Sequence, residues 1–346
     1  MLPNNLRQTF NGEILRFLWR QWSQLGVAGS VAFTDSWIID PEALLMFTMN
    51  MGRYDARLFD EVIDWTVQNG RWISLQRLKN IAGSVDTRTR QTLAAFASVV
   101  DSRDSKHRWR TFSQITEPNE KHSVPFFISI GGEPLPLFGE YDLQFEKQGL
   151  ERTEIVLRNL SATVPMSSST NLIFALRSLF GLAPRAEVVA YLLTHAGGKA
   201  SVIARSTTYS YPAITEALSE LAQSGQVYVE KRGYYSIDKE RWQQFLNIPS
   251  PLPVWIGWQQ VFTALLLLVQ FLEETSEIAV SDYLLSSRSI TLNEKIRVVL
   301  SDSGLHNPFL RPVTLDNAAG ELAQRVVEMI SLLNIDTSIH KTILER

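Results

Sequence analysis

Apolar side chains recur with a helical period at the start of the chain. Ile14, Leu18 and Trp22 are each four residues apart, which predicts an amphipathic helix. Asp40-Pro41-Glu42 then predicts the start of a second helix. Aspartate can cap a helix, proline fits its first turn, and glutamate is favoured at the positive end of the helix dipole. The N-terminal region is therefore expected to be helical.

Three further helices are predicted between Asp55 and Val100. Asn69-Gly70 ends the first and Gly83 ends the second, while Asp86 is placed to cap the third. This spacing corresponds to short helices joined by tight turns.

Strand patterns are short and few. Val31–Phe33 and Trp37–Ile39 predict a small hairpin, and Phe126–Ile130 and Glu154–Leu157 predict strands next to glycines and prolines. A polar turn is predicted at 117–121. The run of small and polar residues from Val164 to Thr170 predicts a linker and a domain boundary.

Length and composition define the class of protein. The chain has 346 residues, of which 45% are apolar and 20% charged, as in an ordinary soluble protein of more than one domain. Cysteine does not occur, which excludes disulfides, thiolate metal sites and cysteine nucleophiles. The N-terminus is too polar for a signal peptide, and the apolar run Val261–Leu272 is too short to span a membrane. We therefore expect a cytoplasmic protein with no membrane contact.

The middle of the chain has a distinctive order of helices. Its last helix starts at Ser210 or Tyr211, has Pro212 in the first turn, and ends at Gly225. Two longer helices and one short helix precede it, at 171–180, 185–195 and 200–205.

After Gly225 the helical period gives way to alternation. Val227 and Val229 alternate with polar neighbours, Lys231-Arg232-Gly233 turns the chain, and Tyr234–Ile237 returns. This pattern predicts a two-stranded ribbon with a basic tip.

Helix, short helix, polar turn, helix and basic-tipped hairpin follow one another in the order of a winged helix-turn-helix. The stretch Tyr209–Leu218, continued through Gly225-Gln226-Val227, resembles the recognition helix and first wing strand of MarR- and ArsR-like regulators. The resemblance covers residues 171–245, and it implies a module that binds double-stranded DNA.

The residue types in this module suit DNA binding. A helix that enters the major groove needs hydrogen-bonding side chains at its exposed N-terminal end, and cations beside it neutralise phosphates. Between 171 and 241, however, eight basic residues face six acidic ones, an excess of only two. The predicted DNA contacts are the hydroxyls of Thr207, Thr208, Tyr209, Ser210, Tyr211 and Thr215 and the cations Lys199, Arg205, Lys231 and Arg232.

A second, degenerate copy is suggested by pattern. Residues 61–96 can be laid beside 187–221, with Arg88 and Arg90 exposed early in the third helix. From residue 71 to residue 110, nine basic residues face three acidic ones, the most basic stretch of the chain. A solvated helical face explains the same charges, so both interpretations stay open.

Catalytic and cofactor motifs are not found in the sequence. Gly131-Gly132 lacks the glycine and lysine of a phosphate-binding loop, the five histidines are scattered, and no Gly-x-Ser-x-Gly elbow occurs. His195 is expected to be a capping or surface residue, and Glu273-Glu274 with Glu277 a solvated helix end. We expect no enzyme activity, no metal and no cofactor.

The C-terminal region is predicted to be helical. Val261–Leu272 is apolar on nearly all sides, so it must be buried within the domain or against another chain. Because operators are two-fold, we expect a homodimer formed through 252–346; the alternative is an ordinary domain core. The domain order also loosely resembles antitoxin or defence-associated regulators, which suggests a toxin as a protein partner.

The sequence thus predicts a mainly α-helical chain with small β elements, in which a winged helix-turn-helix module accompanies helical domains. We expect sequence-specific binding of double-stranded DNA by a transcriptional regulator. The alternative is a protein-interaction adaptor whose winged domains do not bind DNA. The predicted segments are a helical domain at 1–110, a β-containing connection at 111–170, the winged module at 171–245 and a helical domain at 246–346.

Overall fold

The computed structural model describes residues 3, 5–27, 36–114, 123–248, 251–277 and 281–334. Over these residues the chain is mainly α-helical, with two small β-sheets. The polar turn at 117–121 and the first half of the hairpin predicted at 31–39 lie outside the described residues. The second half of that hairpin contributes Trp37, which forms a single parallel bridge with Val254.

The N-terminal region is a set of helices with side-chain caps. The carboxylate of Asp40 accepts a hydrogen bond from the Ala43 amide at 3.0 Å, and that of Asp86 accepts from the Thr89 amide at 2.9 Å. Both predicted helix starts are therefore confirmed. The helices are α1 (Leu6–Gln24), α2 (Pro41–Met51), α3 (Ala56–Asn69), α4 (Leu75–Ala82), α5 (Thr87–Asp101) and α6 (Arg110–Ser113).

The connecting segment has less strand than the sequence predicts. Strand β1 (Val124–Pro125) pairs in parallel with β2 (Leu150–Glu151), and the short helix α7 (Leu143–Glu146) lies between them in sequence. The strands predicted at 126–130 and 154–157 are wrong. Beside the first of these segments, Pro125 and Pro134 lack an amide hydrogen and Gly132 turns the chain with φ of +103°, which limits strand pairing there.

The predicted linker from Val164 to Thr170 is not a free connection. Both of these residues are buried, and the Thr170 carbonyl accepts a hydrogen bond from the Ile39 amide at 2.9 Å. The next residue, Asn171, donates from its side chain to the Gln24 carbonyl at 3.0 Å. The chain therefore enters its middle region while still packed against the N-terminal helices.

The middle region combines helices with a three-stranded antiparallel sheet. The sheet has the order β3-β5-β4, so the strand nearest the N-terminus pairs with the returning strand of the hairpin. Its elements are α8 (Leu172–Phe180), α9 (Pro184–Thr194), β3 (Gly198–Lys199), α10 (Ala200–Thr207), α11 (Tyr211–Gln223), β4 (Tyr228–Glu230), β5 (Tyr234–Ser236) and α12 (Lys239–Leu246).

Three helices complete the described chain: α13 (Trp258–Glu277), α14 (Asp282–Val299) and α15 (Ala318–Asn334). Helix α15 returns to α1, where the Asn334 side-chain amide donates to the Glu13 carbonyl at 3.1 Å. Helix α13 packs against α1 and α2. No described helix combines the length and the apolar character needed to cross a membrane.

Two hydrophobic cores organise these elements. The larger takes side chains from the N-terminal helices, the connecting segment and the C-terminal helices together. The smaller is built from residues 172–242 with Ile38 added from the N-terminal region. The C-terminal helices therefore share a core with the N-terminal ones, and residues 172–242 form the more independent part.

Candidate functional site

Helix α11 is packed on one face only. Its inner side chains, including Ile214, Leu218 and Leu221, are buried in the smaller core, which fixes the orientation of the helix. Ser210 precedes the helix in an extended conformation, and Pro212 in its first turn sets the helical φ without losing a hydrogen bond. The predicted start of this helix is confirmed. Residues on its opposite face are exposed, among them Glu216, Ser219, Glu220 and Gln223.

The hairpin that follows α11 carries its two cations at the tip. Arg232 and Gly233 both have left-handed backbone, with φ of 63° and 69°, and they turn the chain between β4 and β5. Lys231 and Arg232 are exposed there. The predicted antiparallel ribbon is confirmed.

A third cation joins this tip through a strand that the sequence did not predict. Lys199 on β3 pairs with Tyr234 on β5. Lys199, Lys231 and Arg232 line one open hollow of about 680 Å³, which we call the basic hollow. Strand pairing thus places on one surface three of the four cations predicted for the module.

The N-terminal end of α11 carries the more accessible of the predicted hydroxyls. Ser210 is exposed, and Tyr211 is 56% exposed. Thr215 is half-buried and donates its hydroxyl hydrogen to the Tyr211 carbonyl at 2.9 Å. Ser210 and Tyr211 are therefore the side chains of this group that can meet a large ligand.

The turn before α11 is packed against the N-terminal helices. Thr207 is fully buried and donates its hydroxyl hydrogen to the Ile203 carbonyl at 2.7 Å. The Tyr209 hydroxyl lies 3.1 Å from that of Ser74 at the start of α4, and burial together with the charge of Glu187 raises the pKa of Tyr209. The predicted contact of Thr207 with a duplex is wrong, because its hydroxyl is buried and bonded to the helix backbone. The half-buried Tyr209 hydroxyl is held at Ser74, and its contact with DNA stays a prediction.

Thr208 occupies the strained position of this turn. Its backbone is left-handed, with φ of 60°, which costs a non-glycine residue roughly 1–3 kcal/mol. Helix α4 holds it in place: the Asn80 side chain donates to the Thr208 carbonyl at 2.9 Å, and Arg77 donates to its hydroxyl at 3.3 Å. The half-buried Thr208 side chain is thus part of an internal contact.

A buried ion network lies behind the turn. The Arg177 guanidinium on α8 contacts Glu42 at 2.7 Å and Glu187 at 2.6 Å, and Arg77 on α4 contacts the other oxygen of Glu42 at 2.7 Å. Arg77 also pairs with Asp40. The side chains of Arg77, Arg177, Glu42 and Glu187 are almost completely buried.

Charge pairing outweighs burial in this network. Burial opposes the charged form of each arginine, but attraction to Asp40 raises the pKa of Arg77 and attraction to Glu42 raises that of Arg177. Burial alone would raise the pKa of Asp40, whereas its contact with Arg77 lowers it. The network joins α2, α4, α8 and α9, so it fixes residues 172–242 on the N-terminal helices.

The remaining predicted cations differ in accessibility. Arg205 is largely exposed and lies 4.0 Å from the Asp302 carboxylate. Arg88 is exposed. Arg90 is half-buried and donates to the Val85 carbonyl and the Thr87 hydroxyl, so its expected exposure is only partial.

His195 is the C-cap residue of α9, as its sequence position predicted. Its ring stacks on Tyr191 with 3.8 Å between centroids and lies edge-on to Trp255. Burial lowers the pKa of His195. The residue therefore belongs to an aromatic contact at the edge of the smaller core.

Acidic and histidine side chains do not converge into a metal site within the described part of the chain. Glu273, in the predicted solvated helix end, accepts a hydrogen bond from the Tyr54 hydroxyl and lies 3.8 Å from Arg7. Its neighbour Glu274 lies 3.9 Å from Arg288. These carboxylates have separate partners and do not form a pair.

No protein-family model matches the chain, and comparisons with curated proteins and with solved structures find no match either.

Proposed function

We propose that residues 172–246 form a winged helix-turn-helix and that the chain binds double-stranded DNA as a transcriptional regulator. The observed order of helices, with a three-stranded sheet β3-β5-β4 that ends in a basic hairpin, supports this assignment. The observation that carries the proposal is that α11, with Ser210 and Tyr211 exposed at its N-terminal end, is packed in one small core with the segment whose hairpin tip exposes Lys231 and Arg232.

In this proposal α11 enters the major groove by its N-terminal end. Ser210 and Tyr211 contact base edges or phosphates, and Thr215 lies one turn further along the helix. The basic hollow lies over the sugar-phosphate backbone, where Lys231 and Arg232 neutralise phosphates. Lys199, which also lines the hollow, and the exposed Arg205 on α10 are the further cations of the proposed contact.

The charge count along the sequence overstates the available cations. Arg177 is buried and neutralised within the ion network, and Arg185 pairs with Glu220 at 2.6 Å. The proposal therefore depends on a few exposed cations, and binding to nonspecific DNA is expected to be weak and steeply dependent on salt.

Titration of a fluorescent random duplex tests this proposal. Between about 50 and 200 mM salt, the full chain is expected to bind less tightly as salt rises, because phosphate contacts release counterions. The double variant Lys231→Ala/Arg232→Ala should bind all duplexes more weakly and should lower the slope of log K against log salt by about 2. The matched control Lys147→Ala/Arg158→Ala removes two exposed cations of the connecting segment and should leave the slope unchanged.

Sequence preference tests the assignment of α11 separately. Tyr211→Ala is expected to change which duplexes are selected from a random pool. The difference in binding free energy between preferred and other duplexes should change by roughly 1–3 kcal/mol. The Arg158→Ala variant should select the same duplexes as the wild type. An unchanged selection by the Tyr211 variant would contradict the proposed position of α11.

A protein-interaction adaptor is the second candidate function. The observation that favours it is the turn before α11, where Thr207 and Tyr209 contact the chain itself. The same titration separates the two functions, because an adaptor would show no binding that weakens with salt.

Homodimerisation through 252–346 stays a prediction, as does a toxin partner. Most of the apolar side chains of α13 are buried within the chain, so this helix is not the proposed dimer contact. Exposed apolar side chains at Tyr283, Val298 and Val327 on α14 and α15 are the better candidates. The mass of the protein in solution at micromolar concentration tests the dimer.

A further inference from the structure

A cleft of about 530 Å³ lies between α2, the turn that joins α4 to α5, and α13. This volume is in the range of sites for small organic ligands, which is roughly 300–1,000 Å³. The cleft is lined both by residues of the larger core and by polar residues, and its lining includes one of the cations predicted from the sequence to contact DNA, Arg88.

One part of the cleft is apolar. Met46 and Phe47 on α2 face Phe262 and Leu266 on α13 across it. The rings of Phe47 and Phe262 are stacked, with 4.5 Å between centroids, and form the floor of this part. Val85, Leu266 and Leu267 remain partly exposed in the cleft, so an apolar ligand would gain contact there.

Two arginines line the cleft without an anionic partner. Within the described chain, neither Arg53 nor Arg88 forms an ion pair, and the buried Nε of Arg53 has no hydrogen-bond partner. The two also line a second, smaller cavity together with Asn50 and Thr92, which places them at the same end. Burial and the nearby charge of Arg88 lower the pKa of Arg53, and the attraction of Glu273 offsets this only in part.

The acidic residues of the cleft are already engaged. Asp86 caps α5 and accepts hydrogen bonds from the amide and hydroxyl of Thr89 at 2.9 and 2.6 Å. Glu273 accepts from the Tyr54 hydroxyl; burial, followed by this contact, raises the pKa of Tyr54 to about 12. Neither carboxylate forms an ion pair with Arg53 or Arg88 in the described chain, and the Nε of Arg53 remains without a hydrogen-bond partner.

We propose that this cleft binds a small organic carboxylate with an apolar body, whose carboxylate pairs with Arg53 and Arg88 and whose body lies against Phe262 and Leu266. Arginine donates to carboxylates in bidentate geometry, and an apolar chain in the cleft would displace water from the α13 leucines. A lone small anion would leave the apolar part of the site unused.

Calorimetric titration of the full chain with decanoate tests the proposal. We expect saturable binding of one decanoate per chain, and binding weaker by roughly tenfold or more in Arg53→Gln/Arg88→Gln, because charge-assisted hydrogen bonds are lost. The matched control Arg110→Gln/Arg311→Gln removes two exposed guanidinium groups that do not line the cleft and should bind as the wild type does. The single variant Arg88→Gln changes an exposed residue, so it tests the site even if the double variant folds poorly.

Three results would overturn the proposal. Equal binding of decanoate by the Arg88→Gln and wild-type chains would show that the proposed arginine pair does not bind the carboxylate. Equally tight binding of the neutral decanamide would show that the negative charge of the ligand does not contribute to binding. Displacement of decanoate by an equal concentration of inorganic phosphate would show a simple anion site without an apolar part.

Discussion

Helices α5 and α11 are the third helices of two segments with the same helix order, yet they are packed differently. Leu93 on α5 and Leu218 on α11 occupy nearly equal offsets, and both are fully buried. On α11 the opposite face is exposed, whereas on α5 it is covered by other helices. The buried side chains of α5 include Leu93, Ala94, Ala95, Phe96, Ala97, Val99 and Val100.

The difference lies in the small residues of α5. Alanines at positions 94, 95 and 97 allow neighbouring helices to approach from more than one side, so this helix becomes part of the larger core. Helix α6 follows it, where a hairpin follows α11. The shared order of helices therefore does not imply a shared surface, and the proposed DNA contact rests on α11 alone.

A charged side chain on the outer face of each helix gives the sharpest test of this comparison. Ala94→Lys places a cation where no solvent reaches and is expected to destabilise the fold by roughly 5 kcal/mol or more, through crowding and desolvation. Ser219→Lys lies one position after Leu218, as Ala94 follows Leu93, and it should change the free energy of unfolding by less than about 0.5 kcal/mol. Urea denaturation measures both variants. Similar stabilities would show that α5 also has a free face.

Local signals in the sequence were sufficient for much of the fold. Asp40, Asp86 and Pro212 each act within one helical turn, and the alternation around Gly233 determines a hairpin between adjacent strands. Such features depend on neighbours in sequence, so a pattern can predict them. Strand β3 was missed because two residues of strand give no periodicity.

The ion network could not be predicted in this way. Arg177 and Glu42 are 135 positions apart, and counting charges along the chain treats both as surface residues. The packing of Thr207 and Tyr209 against α4 has the same cause, because it depends on how two distant segments meet. For this reason a pattern along the chain predicts Thr207 and Tyr209 to be as accessible as Ser210 and Tyr211, whereas the structure buries Thr207 and holds the Tyr209 hydroxyl at Ser74.

Removal of the Arg177 side chain tests how strongly the ion network joins residues 172–242, which include α11, to the N-terminal helices, which include α5. Arg177→Met leaves Glu42 and Glu187 buried without their main cation, which is expected to cost roughly 3–5 kcal/mol in the free energy of unfolding. The control Arg185→Met breaks only a partly exposed pair with Glu220 and should cost no more than about 1 kcal/mol. Chemical denaturation measures both, and equal small losses would show that the network does not hold the module in place.

The smallest effect concerns the turn that separates α10 from α11. Burial raises the pKa of Tyr209 above its ordinary value of 10, so the folded chain keeps this phenol protonated while the unfolded chain ionises it. The contribution of the buried, protonated Tyr209 to the free energy of unfolding is fully present below pH 10 and is lost as the pH rises through the folded pKa. Tyr209→Phe removes this contribution, so its stability should decline less than that of the wild type above pH 10, as followed by urea denaturation at increasing pH. The stability of the control variant Tyr211→Phe, at an exposed position, should decline with pH as that of the wild type does. If the stability of Tyr209→Phe also declines as that of the wild type does, the Tyr209 side chain is open to solvent and the turn is not packed on α4.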